Sequence, residues 1–170
     1  MRSVSVNNQP LQVDIFYITG AVHAREWGSC EILINLAADL CAAYTGGTGV
    51  GYGGKIYSRA EVKAMVEQMN FILFPCVNPD GRFYSQNTDG MWRKNKNPAD
   101  STPGNTATIG VDINRNQDFL WDFRQKFDPA AVNIYLASDS PAIETYHGHA
   151  PATEQETKNI NYIFDTLSTY

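Results

Sequence analysis

The chain has 170 residues, 43% of them hydrophobic and 18% charged, and carries a net charge of −5 at pH 7. This composition is typical of a globular domain with its own core, and the acidic balance argues against nucleic acid as a partner because nucleic-acid-binding surfaces are basic. No apolar run approaches the roughly 20 residues that a membrane-spanning helix needs, so no membrane span is predicted.

The predicted elements start with a buried strand at residues 13–19, where the sequence reads VDIFYIT. A helix is predicted next, from Glu26 to about Tyr44. Its apolar stripe would consist of Ile32, Leu33, Leu36 and Leu40. Residues 45–54 contain six glycines, which predicts a mobile turn after this helix.

A second helix and a second buried strand follow. Ser58 and Glu61 form a capping box, in which the two residues satisfy each other's backbone amides at the start of a helix. Residues 70–77 (NFILFPCV) then predict a buried strand. The NPDG sequence at 78–81 predicts a turn. The polar segment from there to Ile109 predicts an irregular loop, of a length that is usually functional or disordered.

Strand character returns at residues 110–114, and the chain closes with a predicted helix. Thr153 and Glu156 form another capping-box pattern before it. The apolar stripe of this helix would consist of Ile160, Ile163, Phe164 and Leu167. Alternating strands and helices predict an α/β fold with a mixed, largely parallel central sheet covered by helices. The length predicts a single domain over residues 1–170.

His23 and Glu26 are the most informative residues for function. An imidazole and a carboxylate three residues apart in the first turn of a helix can converge on one metal ion. Both residues directly follow the first predicted strand, and open α/β sheets place their ligand sites at the carboxyl ends of strands. A pair with this spacing also arises by chance, in which case His23 would be a surface residue and Glu26 would favour the helix dipole.

Five motifs in a fixed order resemble the zinc carboxypeptidases of the A and B type. They are HAREW at 23–27, NPDGR at 78–82, WRKN at 92–95, GVDINRN at 110–116 and ETYHG at 144–148. Each motif alone is weakly specific, but their ordered combination is not. The resemblance covers the chain from about residue 13 to residue 167, and it implies that family's fold.

The resemblance also implies a hydrolase that removes the last residue of a peptide or protein. His23 and Glu26 would bind Zn²⁺, which accepts nitrogen and oxygen ligands in an open catalytic site. Bound zinc polarises the scissile carbonyl and lowers the pKa of a bound water. Arg93 would act as the catalytic residue that stabilises the developing oxyanion.

The same resemblance assigns three residues to the substrate. Asn114 and Arg115 would bind the free carboxylate of the peptide C-terminus, because an arginine donates two parallel hydrogen bonds to a carboxylate. Arg25 would contact the residue upstream of the cleaved bond. Asp112 and Asn116 are predicted to be structural, satisfying strand-end backbone groups or orienting their neighbours.

Several functional groups of the family have no position in this chain. The third zinc ligand, a histidine on a later strand, follows the last helix in the family, as do the general-base glutamate, a mobile tyrosine that contacts the substrate and the floor of the specificity pocket. We therefore expect an incomplete catalytic domain with weak zinc binding, negligible hydrolysis and self-association through an exposed sheet edge. A third ligand from His147 or His149 is an open alternative, although the family does not use the histidine of the ETYHG segment as a ligand.

Two other functions stay open. A non-catalytic carboxypeptidase-like module could bind peptide C-termini through Asn114 and Arg115. A related zinc amidohydrolase acting on acylated amino acids or cell-wall peptides would share the histidine and glutamate of the first motif. Members of the carboxypeptidase family are often secreted, but the N-terminal residues contain no apolar stretch of the signal-peptide type, so the sequence predicts no compartment.

Overall fold

The structure, a computed structural model, describes residues 5–6, 9–10, 14–128 and 136–167. Its contacts group the chain into two compact units. The first unit comprises residues 1–19 and 29–75, and the second comprises residues 20–28 and 76–170.

The first unit contains three strand pairs and two helices. Its strands are β1 (Ser5–Val6), β2 (Gln9–Pro10), β3 (Asp14–Thr19), β4 (Val50–Tyr52), β5 (Lys55–Tyr57) and β6 (Met69–Phe74). Its helices are α1 (Gly28–Gly46), whose first residue belongs to the second unit, and α2 (Arg59–Gln68). Strands β1 and β2 are antiparallel, as are β4 and β5.

Strands β3 and β6 form the predicted parallel pair. Asp14 lies opposite Met69, and Thr19 lies opposite Phe74. Both strands are rich in β-branched and aromatic residues, which suit a pleated, half-buried surface. The ring of Phe16 stacks on that of Phe71 at a centroid distance of 5.8 Å. The predicted strands at 13–19 and 70–77 form with slightly shifted bounds, while Val13 lies outside the described residues. The prediction that they are buried is wrong, because the described side chains of β3 and β6 are exposed or half-buried.

Helix α1 begins later than predicted, and of the stripe predicted for it Leu33 and Leu40 are buried. Its buried side chains are Cys30, Leu33, Leu40 and Ala43. Ile32 was predicted to share this stripe but is 66% exposed. Successive helical residues are rotated by about 100°, so a stripe through Leu33 and Leu40 turns Ile32 away from the core.

The glycine-rich segment after α1 is a hairpin rather than a mobile turn. It contains β4 and the reversal into β5. Gly53 and Gly54 have φ values of 56° and 80°. Two consecutive residues with positive φ are typical of the tight turns that match the twist of paired strands, and glycine adopts them without steric cost.

The capping box at the start of α2 is confirmed. Ser58 Oγ accepts a hydrogen bond from the Glu61 amide at 3.3 Å, and the Ser58 amide donates to Glu61 Oε2 at 2.7 Å. Val62, in the first turn of the helix, is almost fully buried. The capping box and the burial of Val62 therefore favour the same position for the helix.

The second unit contains helices α3 (Pro79–Asn87) and α4 (Gln155–Leu167). Among the described residues between them, single 3₁₀ turns lie at Thr106–Thr108, Ile113–Arg115 and Phe123–Gln125. The predicted turn at NPDG is therefore the start of a helix. No strand forms at 110–114 among the described residues, because Asp112 instead caps a 3₁₀ turn by accepting from the Asn114 amide.

Helix α4 begins two residues after Thr153, so Thr153 does not occupy the predicted capping position. Ile160 is buried, as predicted, but Phe164 is largely exposed. Within the described residues, no helix has the length and apolar character needed to cross a membrane.

Candidate active site

His23 and Glu26 lie in the loop that follows β3, before α1 begins. The Glu26 amide donates to the His23 carbonyl at 3.1 Å, which closes a tight turn. The prediction that the pair sits in the first turn of a helix is wrong. Ala21 adopts a φ of 48°, a left-handed conformation that is costly for a residue with a Cβ. The turn from His23 to Glu26 brings the imidazole and the carboxylate together.

Asn78, the N-cap of α3, holds this loop in place. Its side-chain amide donates to the carbonyls of Val22 at 3.3 Å and Lys94 at 3.2 Å. Its Oδ1 accepts from the Gly81 amide at 3.0 Å. A Cβ on Gly81 would collide with the Asn78 side chain. The NPDGR motif therefore joins the loop of the first motif to the segment of the third.

Two further contacts tie the loop to its neighbours. Trp27 Nε1 donates to Ser85 Oγ at 3.1 Å, and the Arg82 guanidinium donates to the Trp27 carbonyl at 2.7 Å. The Ala24 amide donates to the Arg93 carbonyl at 3.0 Å. The backbone beside His23 is consequently fixed from both α3 and the WRKN segment.

The His23 and Glu26 side chains converge as the sequence predicts. His23 Nδ1 lies 2.7 Å from Glu26 Oε1. On the other side of the ring, Nε2 lies 3.4 Å from Asp112 Oδ1. Nε2 is buried and has no hydrogen-bond partner, since that distance exceeds the usual hydrogen-bond range. Metal-binding histidines commonly direct their second nitrogen to a carboxylate, so this arrangement fits a site in which Nδ1 and the Glu26 carboxylate face the metal.

The carboxylates around His23 determine its charge. Burial acts to lower the pKa of His23, but the carboxylates of Asp112 and Glu26 outweigh burial and raise that pKa. Burial acts to raise the pKa of Asp112, but His23 and the Arg93 guanidinium outweigh it and lower that pKa. Asp112 is therefore held as an anion between two groups that carry or can carry positive charge.

Asp112 is the residue that joins the predicted catalytic groups. It is fully buried, and its Oδ2 accepts from Arg93 Nε and Nη2, each at 2.9 Å. Its Oδ1 accepts from the Asn114 amide at 3.1 Å. The sequence predicted a structural residue that orients its neighbours but did not predict the contact with His23. The one available signal was a lone carboxylate within the otherwise apolar run of residues 110–113.

The guanidinium of Arg25 contacts oxygen atoms of the protein. Its Nη1 donates to the Met91 carbonyl at 3.0 Å and to Glu144 Oε2 at 2.9 Å. Its Nη2 lies 3.4 Å from Glu144 Oε1. The first and the last of the sequence motifs thus meet in an ion pair.

Asn114 and Arg115 line a cavity of about 270 Å³. The aromatic and aliphatic residues in its wall include Phe119, Leu120, Trp121, Phe123 and Leu136. Arg115 Nε donates to the Leu136 carbonyl, and Nη1 donates to the Asn114 carbonyl at 2.9 Å. The two residues predicted to bind a terminal carboxylate therefore border a concave, largely apolar space.

His147 and His149 each pair with a carboxylate away from His23. His147 Nε2 lies 2.8 Å from Asp139 Oδ1, and its ring stacks on Trp121 at a centroid distance of 4.4 Å. His149 Nδ1 lies 2.9 Å from Asp100 Oδ1. Within residues 14–128 and 136–167, no three histidine, cysteine or acidic side chains are grouped to hold a metal ion. The geometry gives no support to either histidine as the third ligand.

Two buried amides support the walls of the site: Asn95, for which the sequence predicted no role, and Asn116, which was predicted to be structural. Asn95 Nδ2 donates to Glu154 at 2.7 Å and to Glu156 at 3.0 Å, and its Oδ1 accepts from the Val111 amide at 2.8 Å. Asn116 Nδ2 donates to the His147 carbonyl at 2.9 Å. The irregular segments are therefore tied together by hydrogen bonds of buried side-chain amides.

Comparisons with known proteins give the family of the chain. The family model described as zinc carboxypeptidase matches residues 1–170. Mast cell carboxypeptidase A of Rattus norvegicus is 34% identical over 154 residues, which cover 86% of this chain and 29% of that protein. Carboxypeptidase B of Astacus astacus is 30% identical over 146 residues, 86% of this chain and 39% of that protein. A protein of Paracoccidioides lutzii named inactive metallocarboxypeptidase is 29% identical over 154 residues, 91% of this chain and 22% of that protein.

Solved structures show the same fold. Bovine thrombin-activatable fibrinolysis inhibitor, in complex with a tick carboxypeptidase inhibitor, has a TM-score of 0.66 at 24% identity, covering 94% of this chain and 44% of that chain. Carboxypeptidase A of Helicoverpa armigera has a TM-score of 0.57 at 21% identity, covering 91% of this chain and 31% of that chain. The chain spans less than half the length of each of the proteins named above. The match over the whole sequence and the identity to these enzymes confirm the predicted resemblance: the chain belongs to the zinc carboxypeptidase family.

Proposed function

We propose that the protein is a zinc-dependent metallocarboxypeptidase that hydrolyses the C-terminal peptide bond of peptides and proteins. One observation carries the proposal. His23 Nδ1 and Glu26 Oε1 converge at 2.7 Å while a buried carboxylate, Asp112, backs the imidazole on its other side. This is the donor set and the supporting contact that a zinc ligand pair requires.

His23 and Glu26 would hold the metal, and the third ligand and the general base would come from residues other than those described. Bound zinc would supply a Lewis acid for the scissile carbonyl and a water of lowered pKa. Asp112 would keep the His23 ring in one orientation. Arg93, positioned by the same carboxylate at 2.9 Å, would stabilise negative charge that develops on the carbonyl oxygen.

The substrate would be selected by its free C-terminus. Asn114 and Arg115 border the 270 Å³ cavity and offer an amide and a guanidinium to a terminal carboxylate. An internal peptide bond carries no such carboxylate, so removal of a single terminal residue follows. Arg25 would contact the residue upstream of the cleaved bond. We further infer that residues 1–170 are part of one catalytic domain, since the family match extends over all of them.

The test is hydrolysis by the protein expressed with all the residues its gene encodes. We expect zinc-dependent release of the last residue from peptides with a free C-terminus, and none from the same peptides with a C-terminal amide. Hippuryl dipeptides should be cleaved in preference to simple N-acyl amino acids. Equal cleavage of acid and amide, or a preference for N-acyl amino acids, would contradict the proposal and favour an amidohydrolase.

A binding module is the second candidate. A relative in Paracoccidioides lutzii is named inactive, and the described residues of this chain supply only two of the three ligands that a catalytic zinc needs. Such a module would bind free peptide C-termini through Asn114 and Arg115 without zinc. Tight, zinc-independent binding with no hydrolysis by the complete protein would favour it over the enzyme.

A further inference from the structure

The guanidinium of Arg25 is already occupied by a carboxylate of the protein. Both Glu144 oxygens approach it, Oε2 at 2.9 Å from Nη1 and Oε1 at 3.4 Å from Nη2. The Met91 carbonyl accepts a third hydrogen bond at 3.0 Å, so the guanidinium is held from two sides. Arg25 is mostly buried, whereas the Glu144 side chain is 56% exposed. The exposed partner of this pair is the anion.

Glu144 also lies in the wall of a cavity of about 670 Å³. Ala137 belongs both to this wall and to the wall of the cavity bordered by Asn114 and Arg115. The two cavities are therefore neighbours. A peptide whose terminal carboxylate reached Arg115 would have space to extend past Ala137 towards the Arg25–Glu144 pair.

We propose that Glu144 determines specificity for the residue upstream of the cleaved bond, by neutralising Arg25 and presenting an exposed carboxylate that disfavours acidic and favours basic or neutral side chains. This inference rests on the proposed function, because it takes Arg25 and the cavity beside Asn114 and Arg115 as the peptide site. Glu144 acts both through Arg25 and through its own exposed carboxylate; it determines specificity and is not a catalytic residue.

The electrostatics of the pair give the direction of the effect. An acidic substrate side chain near Arg25 must compete with a carboxylate that already contacts both terminal nitrogens of the guanidinium, and it meets the negative charge of Glu144. A basic side chain meets the exposed side of that carboxylate. Replacing Glu144 by glutamine removes the competitor and leaves Arg25 as an unneutralised cation, so the preference should shift towards acidic peptides.

Binding to chelator-treated protein tests this without turnover. The probes are fluorescein-labelled pentapeptides that share one C-terminal residue and carry Glu, Gln or Lys at the position before the terminal bond. We expect the wild-type protein to bind the Lys and Gln peptides more tightly than the Glu peptide. Glu144→Gln should tighten binding of the Glu peptide about three- to five-fold, the size expected for a partly exposed ion pair, and weaken binding of the Lys peptide.

Two comparisons separate a direct effect from a general change of charge. Asp139 is the matched control, because its carboxylate lies in the wall of the same cavity but pairs with Arg124 and His147. Asp139→Asn should change the ratio of the affinities for the Glu and Lys peptides less than two-fold. In a protein that also carries Arg25→Met, Glu144→Gln should change that ratio less than it does in the wild type, because no guanidinium is freed and only the direct effect of the exposed carboxylate is lost; coupled residues are not additive. Glu144→Asp, which keeps the charge, should bind the three peptides in the same order of affinity as the wild-type protein.

The outcomes distinguish this inference from the proposed function. If amidation of the peptide C-terminus weakens binding but Glu144→Gln leaves the order of the peptides unchanged, the inference is wrong and the carboxylate site stands. If amidation has no effect, the proposed function fails first. An Asp139→Asn effect equal to that of Glu144→Gln would also overturn the inference. Thermal melts of each variant verify that the ratios are measured on folded protein.

Discussion

At the residue scale, the site depends on buried polar side chains that contact one another. Asp112 contacts His23, Arg93 and the Asn114 amide at once. A carboxylate in this position is stable only because cations and an amide donor surround it, since an unpaired buried charge is costly. The same contacts order the groups that the proposed chemistry uses.

Replacing Asp112 by asparagine should weaken zinc binding about 10- to 100-fold, the usual effect of losing a carboxylate behind a histidine ligand. The side chain keeps its shape, but His23 loses the charge that orients its ring. Competition with a chromophoric chelator measures the affinity. Asp118→Asn, which changes an exposed carboxylate nearby in the sequence, is the matched control. Wild-type affinity in the Asp112 variant would show that His23 is oriented by other contacts.

Gly110 illustrates a backbone requirement at the same scale. It has a φ of 83°, and a Cβ would collide with the Asn95 carbonyl oxygen. Gly110→Ala should lower the free energy of unfolding by about 2 kcal/mol or more, because it adds both strain and a clash. At Gly90 a Cβ would meet open space, so Gly90→Ala should stay within about 0.5 kcal/mol of wild type in urea unfolding. Similar losses in both variants would contradict this account.

At the element scale, local signals predicted the elements whose ends are determined by neighbouring residues. The capping box of α2 needs only Ser58 and Glu61. The NPDG sequence was predicted as a turn because its proline, aspartate and glycine are typical of turns. The same residues begin α3, where Asn78 is the cap and Pro79 occupies the first turn. A four-residue signal cannot separate the two outcomes, and the contacts of Asn78 with the Val22 and Lys94 carbonyls favour the helix.

The cap of α2 provides a test at this scale. Ser58→Ala should destabilise the protein by about 1 kcal/mol, because the first turn of the helix loses an acceptor for the Glu61 amide. Ser58→Asp should retain most of the stability, since aspartate is an equally good cap. Urea unfolding followed by circular dichroism measures both. Equal stability of the alanine and aspartate variants would mean that the cap contributes nothing.

At the scale of the whole molecule, buried charge makes stability depend on pH. Lys94 is almost fully buried, and its Nζ donates to the carbonyls of Ala107 and Pro141. The pKa of Lys94 is lowered to about 8, mainly by burial and further by the charge of Lys96. The unfolded chain keeps its proton up to an ordinary lysine pKa of roughly 10.4. Between these two values the unfolded state binds more protons, so the free energy of unfolding should rise with pH.

The measurement is urea unfolding of wild type and of Lys94→Met at intervals from pH 8 to pH 10. The wild type should gain stability relative to the variant across this window, and the difference should level off above it. Taking the difference between the two proteins removes the contribution of other titrating groups. Parallel curves would show that Lys94 keeps its proton when folded.

Exposed apolar side chains give a second prediction at this scale. Ile32 and Ile34 on α1 are each more than half exposed, and Phe16 in β3 is 43% exposed. We expect concentration-dependent self-association, since exposed apolar surface and unpaired strand edges favour it. Sedimentation velocity of the 170-residue chain measures it, and Ile32→Lys should increase the monomer fraction. Asn35→Lys, at a polar exposed position of the same helix, is the control. A monomer at every concentration would refute the prediction.

Several features of this protein follow from near neighbours along the chain. The strand segments and the capped α2 helix can be read from residues a few positions apart, and together with the order of the five motifs along the chain they were enough to predict the fold class and the family. His23 and Glu26 were recognisable from their three-residue spacing, although the turn that brings them together is not the predicted helix.

Other features depend on contacts between segments that are distant in sequence. The placement of Asp112 behind His23, the pairing of Arg25 with Glu144 and the helix at NPDG arise only when those segments pack together. Periodicity and composition describe neighbours within one element, so they carry no information on which buried donor meets which acceptor. That choice is made by packing, because each buried polar group must find a partner and the folded chain offers each of them very few.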